Sequence, residues 1–198
     1  VLQSRGLGDV YKRQGLNSTL LEGAQLSGGS RAVELGLITH KETLSLARKM
    51  LLGALLVTAL LLYNSFLITG EIANAQNALI LGVVGGLLGY FYTARPIRLV
   101  SRRGLGEVAI FLAFGPVLTL GALFAISSNT VELFSTEFYN AIYLGIPFGF
   151  LTTNILYINQ YPDTVSDAST GKNHLIVTLG KKNARWGYLL LLSAAFGS

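Results

Sequence analysis

Cysteine is absent from this sequence, and its absence excludes disulfide bonds, thiolate nucleophiles and cysteine-based metal sites. Histidine occurs only as His40 and His174, which leaves little room for a His-rich metal site. Charged residues make up only 13% of the chain, whereas an ordinary soluble domain carries about 25%. Apolar side chains are abundant instead, at 51% of the residues. This composition is typical of an integral membrane protein.

Four long apolar stretches predict four complete transmembrane spans, at residues 50–69, 78–94, 106–128 and 138–160. Each is close in length to a bilayer-crossing helix of about 20 residues. The stretches lack the two-residue alternation of membrane β-strands, so helices are expected. A fifth apolar run begins at Arg185 and continues to the end of the chain. The predicted fold is an all-α, polytopic transmembrane helical bundle with four complete spans plus the start of a fifth.

Basic residues beyond residue 14 are confined to alternate loops. Four precede the first span, four lie between the second and third spans, and four follow the fourth; the other two loops contain none. Because Lys and Arg are retained on the cytoplasmic side, the loop after the fourth span is predicted to face the cytoplasm from an inner (cytoplasmic) membrane. The net charge of +5 is not arranged on a soluble face interleaved with aromatic residues, so the expected partner is the lipid bilayer and not nucleic acid.

The first 14 residues, VLQSRGLGDVYKRQ, have neither the apolar core nor the cleavage site of a signal peptide. They resemble a translated adaptor sequence, so residues 1–14 are predicted to be non-native or disordered. Residues 15–198 are predicted to form a partial transmembrane domain. Within it, Thr39 and Glu42 fit a capping box, which predicts a helix that begins near His40 and continues through the first span.

A polar segment, NQYPDTVSDASTGKNHL (residues 159–175), directly follows the apolar run AIYLGIPFGFLTTNILYI at the end of the fourth span. On a helix its Asn159, Asp163 and Asp167 would share one face, with neighbouring side chains about 5–6 Å apart. Two carboxylates this close repel each other unless a cation lies between them, and such oxygen ligands suit Mg²⁺, which completes its shell with water and phosphate. The pattern predicts a Mg²⁺ site for a diphosphate, with Asp163 and Asp167 as catalytic metal ligands and Asn159 as a third ligand. Pro162 predicts a break or kink near the end of the span.

Several further residues are candidates for substrate binding. A glycine-rich loop, LSGGSR, could present backbone N–H groups to an anion, and the arginines between the second and third spans can bind phosphate in a bidentate manner. The same arginines could instead set orientation and contact lipid headgroups, and an interfacial tyrosine needs no ligand. The candidate substrate-binding residues are Asn159, Lys172, Arg31, Arg95, Arg102, Arg103 and Tyr92.

The polar segment resembles the second aspartate-rich motif of the UbiA-type intramembrane prenyltransferases, which looks like NxxxDxxxD followed by GKxTL. The matching residues are Asn159, Asp163, Asp167, Gly171, Lys172 and Leu175, and His174 stands where Thr is common. Residues 28–42 and 92–121 resemble the branch that prenylates 1,4-dihydroxy-2-naphthoate on the way to menaquinone or phylloquinone. The resemblance covers most of residues 24–198.

The resemblance implies a bundle of about nine helices around a cavity that opens to lipid, and this chain would be a fragment of it. It implies Mg²⁺-dependent transfer of a polyprenyl group from a polyprenyl diphosphate to an aromatic acceptor. The family's first aspartate-rich motif should precede LSGGSR, where only Asn17 and Glu22 offer oxygen ligands. The fragment alone is therefore expected to turn over poorly or not at all.

Other functions stay open at this stage. An ion-coupled transporter could use the carboxylates, although transporter sites usually lie near the membrane midplane and these lie at the end of a span. A non-catalytic membrane scaffold derived from the enzyme is a second alternative, and within the family the acceptor could be 4-hydroxybenzoate, homogentisate or a tetrapyrrole. Glu107, at the start of the third span, is expected to pair with an arginine or to cap a helix N-terminus.

Overall fold

The computed structural model describes residues 37–70, 72–169 and 171–198. Within these ranges every regular element is helical, which confirms the all-α prediction. The elements are α1 (His40–Thr69), α2 (Ala73–Thr93), a 3₁₀ turn (Leu99–Ser101), α3 (Leu105–Leu112), a π-helical turn (Ala113–Val117), α4 (Leu118–Ile126), α5 (Thr136–Asn159), α6 (Thr164–Ser169) and α7 (Leu175–Gly197). The predictions for residues 1–14, for Arg31 and for the rest of 15–36 lie outside the described residues.

Four helical segments of the described chain are long and apolar enough to cross a membrane: Lys41–Ile68, Ala73–Thr93, Leu105–Ile126 and Thr136–Asn159. The prediction of four spans is thereby confirmed, and the third span joins α3, the π-helical turn and α4. Large apolar side chains on these helices are exposed, for example Leu52, Leu56 and Leu60 on α1. Lipid is the solvent that suits such a surface, because bilayer chains are as apolar as the side chains.

The first and last helices differ in length from the predicted apolar runs. Helix α1 begins at His40, as the capping box predicts, because Thr39 Oγ1 accepts a hydrogen bond from the Glu42 N–H (3.2 Å) and Glu42 Oε2 accepts one from the Thr39 N–H (2.7 Å). The predicted fifth run begins at Arg185, whereas α7 begins ten residues earlier at Leu175. Gly180 interrupts α7 with a non-helical φ of 73° and ψ of 149°, a conformation suited to glycine.

Helix α5 packs closely against the middle of the third span at glycines. A Cβ atom added at Gly145 would lie 2.8 Å from the carbonyl carbon of Gly115, and one added at Gly149 would lie 2.7 Å from the Phe111 carbonyl oxygen. Pro116 lacks an N–H and stands within the π-helical turn, where the regular hydrogen-bond ladder is already disturbed. Small residues at this crossing let the two backbones approach.

The antiparallel order of the spans brings the end of α2, the start of α3, the end of α5 and the start of α7 to one end of the bundle. We call this end, formed by residues 92–107, 154–169 and 171–176, the polar end. The opposite end is tied together by Asn74, whose Nδ2 donates to the Asn129 carbonyl oxygen (2.8 Å) and whose Oδ1 accepts from the Val131 N–H (2.9 Å). The predicted site residues that the structure describes belong to the polar end.

Candidate active site

The predicted metal ligands lie at the end of helix α5 and in the residues that follow it. That helix ends at Asn159, residues 160–163 form a turn that contains Pro162, and α6 then carries Asp167. The prediction of one helical face shared by all three ligands is therefore wrong, because the proline-containing turn interrupts the helix between the first and the last of them. Asn159 is exposed, Asp163 is half-buried, and Asp167 is buried. The predicted break in the helix near Pro162 is confirmed.

Asp167 is the most enclosed carboxylate of the segment, with 1% of its side chain exposed. Its Oδ2 accepts hydrogen bonds from Lys172 Nζ (2.9 Å) and His174 Nε2 (3.0 Å). Burial alone would raise the pKa of Asp167, but the hydrogen bond with His174 and the charge and hydrogen bond of Lys172 outweigh it, so the pKa lies below its usual value. The carboxylate is thus ionised at neutral pH and held in one orientation by two donors on the same oxygen.

His174 is a site residue that the sequence did not identify. The structure places its fully buried imidazole directly on Asp167. A spacing of seven residues across a glycine at 171 gives no periodic signal for this contact. One feature of the sequence sets His174 apart: it stands where the prenyltransferase family that this segment resembles commonly has Thr. The candidate Lys172 lies beside Asp167, and its binding of a phosphate stays a prediction.

Glu107 reaches the same end from helix α3. It is 5% exposed, and its Oε1 accepts the Leu175 backbone N–H (3.3 Å), so it caps the N-terminus of α7 rather than that of its own helix. The expectation that it caps a helix N-terminus is confirmed. Gly104 permits this approach with a left-handed φ of 75°, and at Gly106 an added Cβ would lie 3.1 Å from Val100 Cα. Backbone conformation at the first glycine of RGLGE and close backbone packing at the second therefore explain why glycines stand at these two positions.

Unpartnered buried polar atoms gather at the polar end. In the part of the chain that the structure describes, such side-chain atoms are Tyr92 Oη, Ser101 Oγ, Glu107 Oε2, Asn154 Oδ1, Gln160 Oε1, Tyr161 Oη and His174 Nδ1. Buried polar groups in native proteins are normally hydrogen-bonded, and a group left unpaired calls for a ligand, ion or water. A polar end with this unused hydrogen-bonding capacity, beside an ionised Asp167, is suited to a polar ligand.

The remaining candidates stand at the rim of the polar end. Tyr92 is half-buried on the last turn of α2, and its hydroxyl belongs to the unpartnered group. Arg95, Arg102 and Arg103 are exposed in the loop that follows. Arg102 Nε donates to the Ile97 carbonyl oxygen (2.6 Å), so this side chain braces its own loop. Binding of phosphate by these arginines stays a prediction.

The donor set at the polar end is compatible with Mg²⁺. Among the described residues no three or more His, Cys, Asp or Glu side chains converge as a ready-made metal cage. Magnesium does not need one, because it usually takes one or two carboxylates and fills its shell with water and substrate phosphate. Asp163 and Asp167 can supply those two carboxylates. Lys172 and His174 share the Asp167 oxygen, so a metal would have to use the other oxygen or compete with them.

The fold and this end of the bundle define an all-α integral membrane protein with buried carboxylates at one membrane face. Residues 38–198 match the UbiA prenyltransferase family, and the chain belongs to that family. The family resemblance found in the sequence is thereby confirmed.

Several curated proteins are similar in sequence to this chain. The chain is 28% identical over 167 residues to a 1,4-dihydroxy-2-naphthoate octaprenyltransferase of Escherichia coli, covering 83% of this chain and 50% of that protein. It is 32% identical over 123 residues to UbiA prenyltransferase domain-containing protein 1 of Dictyostelium discoideum (61% and 34%), and 32% identical over 126 residues to the chloroplastic 2-carboxy-1,4-naphthoquinone phytyltransferase of Arabidopsis thaliana (61% and 33%). The chain thus spans a third to a half of these relatives. No solved structure matches it significantly.

Proposed function

We propose that the whole protein transfers a polyprenyl group from a polyprenyl diphosphate to an aromatic acceptor, and that the acceptor is 1,4-dihydroxy-2-naphthoate in menaquinone or phylloquinone biosynthesis. The observation that carries this proposal is the cluster around Asp167, an ionised buried carboxylate among unpartnered polar atoms at the end of an apolar bundle. Membership of the UbiA prenyltransferase family and similarity to naphthoate-linked prenyltransferases support the same reaction.

Asp163 and Asp167 would hold Mg²⁺, with Asn159 as a further ligand from the end of α5. When bound, the metal neutralises negative charge that develops on the diphosphate leaving group as the allylic C–O bond breaks. The Lys172 ammonium group lies beside Asp167, and its positive charge reduces the repulsion between a diphosphate and the carboxylates. Arg31, Arg95, Arg102 and Arg103 would bind the outer phosphate oxygens.

The apolar bundle would hold the prenyl chain and keep water from the allylic cation. An apolar cavity of about 370 Å³ lies between α1, α2 and α4, with Leu61, Gly85 and Phe124 among its lining residues. Gly85 precedes Tyr92 by seven residues on α2, a rise of about 10 Å. A prenyl chain whose diphosphate lies at the polar end and which extends along α2 would therefore enter this cavity. Tyr92 would line the passage between the two regions.

The reaction is tested with the full-length gene product in membranes, a polyprenyl diphosphate and a panel of aromatic acceptors. We expect prenylated dihydroxynaphthoate that disappears on chelation by EDTA and returns with Mg²⁺, because the two carboxylates repel a diphosphate and a bound divalent cation would offset the charge of both. Transfer to 4-hydroxybenzoate, homogentisate or a tetrapyrrole instead would keep the donor site and correct the acceptor. No transfer to any of these acceptors would favour the scaffold or the ion-coupled transporter.

The proposed orientation places the polar end at the cytoplasmic face of the inner membrane. Because the chain has no cysteine, single cysteines report their side cleanly. Lys181→Cys and Glu132→Cys are both at exposed positions, one near the polar end and one at the opposite end. In intact spheroplasts a membrane-impermeant maleimide should label Glu132→Cys only, and Lys181→Cys should be labelled only after permeabilisation. The reverse labelling pattern would show that the polar end faces the periplasm and that the proposed orientation is wrong.

A further inference from the structure

Two segments that are far apart in sequence meet at the polar end beside Asp167. The Leu175 N–H donates to Glu107 Oε1 (3.3 Å), and the Asn173 N–H donates to the Ser101 carbonyl oxygen (3.3 Å). The Leu175 side chain also lies in the space next to Gly104, where an added Cβ would contact it at 3.7 Å. Three contacts thus fasten the first residues of α7 and the loop before it to the segment 101–107.

His174 stands between these anchored residues and points its ring at the carboxylate. Its neighbours in the chain are the two residues held by Ser101 and Glu107, so the backbone position of His174 is set by the segment 101–107. The imidazole is fully buried, and Nε2 lies 3.0 Å from Asp167 Oδ2. Because the ring is buried and the backbone on both sides of it is anchored, the imidazole has little freedom to move. It therefore fixes where that carboxylate oxygen lies.

We propose that Glu107 and His174 are positioning residues for Asp167: Glu107 anchors the start of α7, and His174 transmits that position to the Asp167 carboxylate. This inference rests on the proposed function, in which Asp167 binds Mg²⁺. Groups that orient a metal ligand from behind typically change metal affinity or activity 10–100-fold when they are removed. The arrangement gives the RGLGE segment at the start of α3 a role in metal binding, although Glu107 is 60 residues from Asp167 in the sequence.

Two pairs of variants test the inference in the full-length protein in nanodiscs. Glu107→Leu removes the acceptor for the Leu175 N–H, and Glu107→Gln keeps one. His174→Leu removes the donor to Asp167, and His174→Gln places an amide N–H near the position of Nε2. Asn183→Ala, at an exposed position on α7, is the control. One readout is the Mg²⁺ concentration that gives half-maximal transfer, and the other is amide hydrogen exchange of residues 164–176 in metal-free protein.

The Leu variants should raise the half-saturating Mg²⁺ concentration about 10–100-fold, recover much of the maximal rate at high Mg²⁺, and speed exchange at residues 164–176. The Gln variants should restore most of both properties, which a general loss of packing would not allow. Leu variants with wild-type Mg²⁺ dependence and exchange would overturn the inference, provided that Asp167→Asn abolishes transfer. If Asp167→Asn has no effect, the proposed function fails, and the positioning role fails with it.

Discussion

Asp167→Asn is expected to lower the rate of prenyl transfer on the order of 10³-fold while the protein stays folded. Charge stabilisation by a bound metal is worth several kcal/mol, and each 1.4 kcal/mol corresponds to about tenfold in rate. The asparagine has nearly the same shape and keeps a side-chain oxygen that can accept from Lys172 and His174. What it loses is the negative charge, which Mg²⁺ requires. Steady-state assays with saturating acceptor measure the change.

Two further variants, Asp163→Asn and Glu132→Gln, serve as a second test of the metal site and as a negative control. Asp163 is the second proposed ligand, so its variant should also lose most activity, whereas Glu132 is an exposed residue at the opposite end and its variant should behave as wild type. Thermal unfolding of each variant in detergent shows whether the fold persists. If Asp167→Asn kept more than about a tenth of the wild-type rate, a loss of under 1.4 kcal/mol, the carboxylate could not be a metal ligand in catalysis.

The same substitution has a pH signature in stability. The pKa of Asp167 is lowered in the folded protein, so its charge stabilises the fold above the pKa that the group has when unfolded, about 3.9. That contribution is lost as the pH falls through the lower, folded pKa. The difference in Tm between wild type and Asp167→Asn should therefore be largest near neutral pH and should shrink at strongly acidic pH. A difference that grew with acidification would contradict the depressed pKa.

The spans and the first helix cap could be predicted because their causes are local. Lipid offers no hydrogen bonds to a backbone, so a continuous apolar run of sufficient length must be helical. The capping box joins Thr39 and Glu42, three residues apart, and needs no tertiary contact. The bounds of α7 could not be predicted in this way. Its first residues, LIVTLG, are separated from the later apolar run by the polar stretch KKNAR, and they are helical because Glu107 caps them and Ile176 packs in the core at 0% exposure.

The candidate site was predictable in its residue types and not in its geometry. Asp163, Asp167 and Lys172 could be selected because paired carboxylates and a trailing cation suggest diphosphate chemistry. The assignment of Asn159, Asp163 and Asp167 to one helical face failed, since the turn around Pro162 separates Asn159 at the end of α5 from Asp167 on α6. The contact between Glu107 and Leu175 joins residues 68 positions apart, and such a pairing leaves no periodic trace in a single sequence.

Gly145→Ala is expected to destabilise the bundle by about 1–3 kcal/mol or more, the cost of overpacking a close-packed interior. The new methyl group would lie 2.6 Å from Thr119 Oγ1 and 2.8 Å from the backbone at Gly115 and Pro116. The threonine side chain could rotate away, but the backbone atoms belong to the π-helical turn and cannot move without displacing the third span from α5. Denaturant or thermal unfolding in detergent should show a clear loss of stability and a lower yield of folded protein.

Gly121→Ala supplies a matched control on the third span, where that span contacts α2. There the added methyl group would meet Leu81 Cβ at 3.9 Å, an ordinary van der Waals contact. Alanine is favoured over glycine inside a helix by about 1 kcal/mol, so this variant should be neutral or slightly more stable than wild type. The two identical substitutions are thus expected to differ in their effect on stability, because only the methyl group at residue 145 meets backbone atoms. Equal effects at both positions would mean that α5 and the π-helical turn do not cross as closely as the glycines indicate.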